Sequence, residues 1–166
     1  MDRGRYRSVL SIGFVLMVQL VAADGLACSC SGASAEEAYG RADAVVQGHV
    51  SDVDRGYIRF VHCALRFWMA RYVNISVPKP EDMDFACGTR ATIQVEYQWK
   101  GEPDDELLVV TGRGHGDCGF PFQADKRYLL YLYRSDEAFY TTDICSGSLP
   151  IEMAGEDIAF LHGLSA

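Results

Sequence analysis

At 166 residues, with a net charge of −8, 49% hydrophobic and 23% charged residues, the chain has the length and composition of one folded acidic domain. That charge excludes a general nucleic-acid binder. The six cysteines, Cys28, Cys30, Cys63, Cys87, Cys118 and Cys145, are even in number, which in an exported domain favours three disulfides over a metal site; fifteen pairings are open.

Arg3, Arg5 and Arg7, the apolar run from Val9 to Ala23, and the small residues Gly25 and Ala27 form the three parts of a secretory signal peptide. The run is shorter than the about 20 residues of a spanning helix. Residues 1–27 are therefore expected to be removed, exposing Cys28, and the product to be secreted or periplasmic. An uncleaved anchor is one alternative. A lipid-modified Cys28 is another: Leu26-Ala27-Cys28 resembles the end of a lipoprotein signal, although Gly25 stands where such signals carry Leu. Cleavage takes away three Arg and two Asp and leaves a net charge of −9.

Cys28 and Cys30 in an extended segment point to opposite sides, so each is expected to bond a different distant cysteine and clamp the segment between them. Ser34 and Glu37 form a capping-box pattern opening a helix over Ala35 to Arg41. Ala44 to Val53 reads as a strand, with Gly48 allowing a bend. Ala91 to Lys100 alternates Ile93, Val95, Tyr97 and Trp99 with Thr92, Gln94, Glu96 and Gln98, the pattern of a half-buried strand. A turn over Gly101 to Asp105 leads to a strand over Leu107 to Thr111, then a glycine-rich loop from Gly112 to Gly119. Tyr128 to Tyr133 and Phe139 to Thr142 are two more strands. Gly155 to Leu164 is a terminal helix with Ile158 and Leu161 inward and Leu164 as a further candidate.

Residues 28–166 thus read as one domain with an insertion at about 55–88. Between Arg55 and Pro80 stand Arg55, Arg59, Arg66, Arg71 and Lys79 and no acidic residue, with Tyr57, Phe60, Val61, Leu65, Trp68 and Tyr72 at roughly helical spacing. A basic amphipathic element touching anionic lipid or a partner is one reading. The favoured one is an extension packed on the domain and stapled by Cys63 to Cys87, because aromatic stripes are usually core. Asn74-Ile75-Ser76 is a glycosylation sequon. The fold class expected is all-β with peripheral helices, the short strands closing into a barrel that leaves no exposed edges.

No catalytic constellation stands out. His49, His62, His115 and His162 are scattered, and Gly112-Arg113-Gly114-His115-Gly116 lacks the Lys-Ser or Lys-Thr of a phosphate loop. The chain is not expected to be an enzyme.

Cys-x-Cys at the processed end, the short helix, Ala44-Val45-Val46-Gln47-Gly48-His49-Val50, Trp99-Lys100-Gly101, Cys118-Gly119, Tyr128-Leu129-Leu130-Tyr131 and Cys145-Ser146 occur in an order that resembles the inhibitory, netrin-like domain of tissue inhibitors of metalloproteinases, in a compact single-domain form. The resemblance implies an OB-type five-stranded barrel stapled by Cys28 to Cys118 and Cys30 to Cys145, leaving Cys63 to Cys87. The disulfide that anchors the first helix in that family has no counterpart here.

The resemblance further implies inhibition of a zinc metalloendopeptidase. The α-amine and carbonyl of Cys28 chelate the protease's zinc, Ser29 enters the specificity pocket, and Cys30, Ser31, His115, Gly116 and Asp117 contact the protease. No cofactor of its own is implied, and membrane contact enters only through lipidation or the insertion. Three other readings remain beside it: cysteines that only staple the fold, a non-inhibitory envelope binding module on the same barrel, and a redox or copper-handling protein using Cys28 and Cys30 as thiols.

Overall fold

The computed structural model describes residues 28, 30, 32–56, 61, 63, 65, 69, 87–114, 117–135 and 139–164. The expected signal peptide, the Asn74 sequon and most of the insertion lie outside them.

The first helix, α1 (Ala35–Arg41), starts where its capping box dictates. The Ser34 hydroxyl accepts from Glu37 N at 3.3 Å while the Glu37 carboxylate accepts from Ser34 N at 3.1 Å, so two otherwise orphaned donors are satisfied reciprocally. Glu36 and Glu37 in its first turn and Arg41 in its last complement the helix dipole. No cystine anchors this helix. Lys100 does so instead, donating from Nζ to the carbonyls of Tyr39 at 2.7 Å and Gly40 at 3.4 Å and lying 4.9 Å from the Tyr39 ring centroid.

Five strands follow: β1 (Ala44–Asp54), β2 (Thr89–Lys100), β3 (Glu106–Thr111), β4 (Arg127–Arg134) and β5 (Tyr140–Thr141). They close in the order β1-β2-β3-β5-β4, with β4 returning to β1. Only β3 and β5 run parallel. This is a five-stranded mixed barrel of OB type, and closure removes the edges that such short strands would otherwise expose. A sixth strand, β6 (Leu149–Pro150), adds to β4 on the outside and leads through a 3-10 turn, Ile151–Met153, into α2 (Gly155–Leu164).

Closing so small a barrel requires strong coiling of β1, and its pairing with β2 shifts register at three points. One of them is Gly48, where a Cβ would run into the Ile93 side chain and lie 3.1 Å from Gln94 O. The bend and the close approach thus need the same residue.

Two apolar clusters explain the dense hydrophobic run in β4. Tyr128, Leu130 and Leu132 point into the barrel with Val46, Ile93, Val109 and Phe122. Leu129 and Tyr131 point outward, where Ala38 of α1 and Leu161 of α2 cover them. Buried on both faces, β4 shows no alternation in sequence. The Tyr131 hydroxyl donates to the Asp157 carboxylate at 2.9 Å and ties α2 down. Burial, reinforced by that carboxylate, pushes the Tyr131 phenol well above its ordinary range.

Three expectations need correction. Leu164 is 51% exposed, so α2 buries Leu161 and, in part, Ile158 and Phe160, but not Leu164. Of the single apolar face predicted for β2, Ile93 enters the barrel core and Val95 packs at its margin, but Tyr97 is 45% exposed and Trp99 joins the outer cluster. The strand leaves the barrel, and Tyr97, Trp99 and His162 stack with ring centroids 4.6 to 5.6 Å apart. In the insertion, Val61 and Leu65 are 47% and 50% exposed, so at these two positions the stripe is not core.

Candidate functional site

The site grows from the glycine-rich loop that follows β3. The Asp117 carboxylate accepts from three backbone N–H groups of its own loop: Arg113 at 2.6 Å, Gly114 at 2.7 Å and Gly119 at 3.2 Å. Gly112 makes room for it, since a Cβ there would lie 2.7 Å from the carboxyl carbon. Arg113 reaches across to the Arg55 carbonyl, and the Arg55 guanidinium donates to Phe122 O at 3.3 Å. So pinned, the loop delivers Cys118 in the left-handed region, at φ 59°, a conformation a non-glycine residue holds only when its surroundings enforce it.

Cys118 then faces a second fixed segment. Gly119 bridges Asp143, and Ile144 N donates to Cys118 O at 3.0 Å. Asp143 accepts Cys145 N on its side chain at 2.8 Å and the Ser146 hydroxyl on its carbonyl at 2.8 Å. Beneath it lies a buried hydroxyl network. Thr142 Oγ1 is 2.9 Å from both Ser146 Oγ and Ser148 Oγ, and Tyr131 N donates to Ser148 Oγ at 2.9 Å. These bonds fasten the turn carrying Cys145 to β4.

Across these two fixed segments lie Cys28 and Cys30. Disulfides join Cys28 to Cys118 and Cys30 to Cys145, with Cα atoms 5.6 and 5.2 Å apart. A third joins Cys63 to Cys87. Two residues that are next-but-one neighbours are thus bonded to two segments that are themselves bridged, which fixes Cys28 and Cys30 relative to each other. All six cysteines are bonded and none is a thiol.

Of the residues assigned to protease contact, Cys28, Cys30 and Asp117 are brought together here, whereas Ser29, Ser31, His115 and Gly116 lie outside the described residues. Cys28 is half-buried and Cys30 exposed. Asp117 turns its carboxylate onto its own backbone and shapes the loop. Asp117→Ala is accordingly expected to destabilise the domain by about 1 kcal/mol, the loss of a multiple acceptor for partly exposed donors, read as a lower urea midpoint.

The supporting roles of Thr142, Asp143 and Ser148 are not legible in the sequence, and Lys100 stands out there only as part of the Trp99-Lys100-Gly101 motif. The spacing Asp143-Ile144-Cys145, an Asx-turn pattern, was the one signal that could have found part of this support. Among the described residues, no cluster of three or more His, Cys, Asp or Glu could hold a metal ion.

No helix among the described residues is long and apolar enough to cross a membrane. The three disulfides indicate an oxidising, extracytoplasmic setting. In comparisons with known proteins, the chain matches no family model and no curated relative.

Proposed function

We propose that the processed protein inhibits zinc metalloendopeptidases by presenting the main-chain nitrogen and oxygen of Cys28 to the protease's zinc. What supports this reading most is the immobilisation of Cys28 and Cys30 on two mutually bridged segments. With its sulfur committed to Cys118, Cys28 offers a metal only its α-amine and its carbonyl. These two donors on one residue close a five-membered chelate.

A catalytic zinc held by three protein ligands keeps a fourth position for water, which becomes the nucleophile. Bidentate ligation by Cys28 displaces that water, and proteolysis stops. Ser29 then enters the pocket beside the zinc, with Ser31 and the His115 to Asp117 loop as flanking contacts. The metal belongs to the protease, and the inhibitor needs no cofactor. Because the segment is fixed before docking, little ordering entropy opposes binding.

The test is the inhibition constant of the protein beginning at Cys28, measured on a panel of zinc endopeptidases as a function of pH. A protonated amine has no lone pair for the metal, so binding must expel a proton. With an ordinary α-amine pKa of about 7.7 to 8.0, affinity is expected to be level above that range and to fall as pH drops below it. The fall approaches about tenfold per pH unit, the limit for loss of one proton. Failure to inhibit any enzyme of the panel, or inhibition that strengthens toward acid pH after correction for the protease's own profile, overturns the proposal.

A further inference from the structure

We propose that the open end of the barrel's outer face binds an extended, uncharged glycan of glucose-like pyranoses on Tyr97, Glu96, Gln47 and Arg127, a role separate from protease inhibition. The outward residues of β1 and β4 pair as Val45 with Tyr131, Gln47 with Leu129, and His49 with Arg127. α1 and α2 cover Val45, Tyr131 and Leu129. The cover stops there, and the His49 and Arg127 side chains are 35% and 58% exposed.

A bulge in β2 delivers the rest of the site to this opening. Gln47 pairs with Tyr97 and Gly48 with Val95, so Glu96 is the extra residue and the alternation of faces breaks there. Val95 still packs against the barrel core, whereas Glu96 and Tyr97 both turn outward. The Glu96 carboxylate accepts from Gln47 Nε2 at 2.9 Å and from Arg127 Nε at 2.8 Å. The Gln47 bond first, with Arg127 behind it, holds its carboxyl below the ordinary carboxylate range. The Tyr97 ring is braced by Trp99 at 4.6 Å and His162 at 5.6 Å between centroids, yet stays 45% exposed. An ionised acceptor and an aromatic surface are thus fixed side by side before any ligand arrives, which lowers the ordering cost of binding.

Charge selects the occupant. Glu96 is countered by Arg127, and Asp125 lies 3.9 Å from His49, so an ionic ligand would have to break a pair already made. A purely apolar ligand would strip water from a carboxylate and a guanidinium without replacing its hydrogen bonds. A pyranose with equatorial hydroxyls meets both demands. Its axial C–H bonds form an apolar face that lies on the Tyr97 ring, while its rim hydroxyls donate to Glu96 and accept from the terminal nitrogens of Arg127. Because the face is open rather than enclosed, it suits a chain of such sugars lying along it.

The experiment titrates cellohexaose and chitohexaose into the processed protein, followed by saturation-transfer NMR and calorimetry. At least one of the two is expected to bind, and a heparin hexasaccharide is expected not to displace it. Tyr97→Ala is expected to weaken binding by at least about tenfold, through loss of the stacking surface. Its melting temperature is expected to be nearly unchanged, because Tyr97 lies outside both apolar clusters. Glu96→Gln keeps the side-chain shape, removes the charged acceptor, and is expected to weaken binding by about tenfold.

Binding of neither neutral hexasaccharide, or displacement by heparin, overturns the proposal on the unsubstituted protein alone. Undiminished binding by folded Tyr97→Ala or by Glu96→Gln also overturns it. Concentration-dependent self-association abolished by Tyr97→Ala would make the face a contact with a second copy and contradict the glycan assignment. None of these readouts involves a protease, so they stand or fall independently of inhibition.

Discussion

One alanine added before Cys28 is expected to weaken inhibition of a zinc endopeptidase by about a thousandfold or more, since metal ligation is worth several kcal/mol and each 1.4 kcal/mol is tenfold. The added residue turns the terminal amine into an amide, which has no basic lone pair, and it projects a further side chain toward the zinc. Acetylation of the Cys28 amine is expected to do the same without adding length. Neither change touches the cystine to Cys118, the Asp117 cradle of the loop or the barrel core, so both proteins are expected to melt with the unmodified one. Inhibition constants and melting curves measured on the same three preparations separate the two quantities. If cysteines 28 and 30 were no more than staples, extension would leave inhibition unaltered, and the proposed mechanism would be excluded.

The second large effect is expected from the double variant Cys30→Ala with Cys145→Ala. This cystine spans 115 residues, and releasing a loop of that size from the unfolded-state constraint costs about 2–5 kcal/mol, a large part of the roughly 5–15 kcal/mol of a typical domain. A fall in melting temperature on the order of 10 °C follows. The shorter cystine between Cys63 and Cys87, spanning 24 residues, is expected to matter less by the same loop-length argument. The two losses also differ in kind. Without Cys30–Cys145 the processed end is held by Cys118 alone and regains freedom that docking must remove again, so inhibition is expected to weaken by about tenfold to a hundredfold, the range of one to two immobilised segments. Loss of Cys63–Cys87 leaves that end untouched, and inhibition by this variant is expected to be normal. Comparable losses of inhibition from both pairs would argue against the processed end as the site.

Some of this architecture is written locally and could be read directly. Ser34 and Glu37 announce α1 at its first residue, because capping is decided within one helical turn. Gly48 marks the bend of β1, and strict alternation in β2 gives a strand of nearly the right length. What was hidden depends on partners far along the chain. The apolar run at Tyr128 to Tyr133 carries no face information, since Leu129 and Tyr131 owe their burial to α1 and α2 rather than to neighbours in sequence. The aromatic end of β2 reads as core by pattern but leaves the barrel, because closure makes β1 and β2 coil together through three register shifts. The two-residue strand β6 carries no periodic signal at all. The parallel pairing of β3 with β5 is likewise invisible to periodicity.

The candidate site shows the same division. The paired spacing of Cys28 and Cys30 was legible, and so was the need for two separate partners, although composition and spacing left every pairing open. The pairing in the structure is the one the family resemblance implies. The support behind it was not legible. Asp117 is expected at a contact surface, and that its carboxylate binds three of its own loop's N–H groups is visible only in the structure. Lys100 belongs to a motif that resembles the family's, and its physical task became visible only with its Nζ on the last carbonyls of α1. That contact holds a helix for which no cystine was available.

The most direct measurement replaces the zinc of a susceptible endopeptidase with cobalt(II) and follows its visible absorption as the protein beginning at Cys28 is added. Direct ligation by the Cys28 nitrogen and oxygen predicts a spectral change that saturates at one equivalent, and none on addition of the acetylated protein. Inhibition that proceeds with an unaltered cobalt spectrum would contradict it.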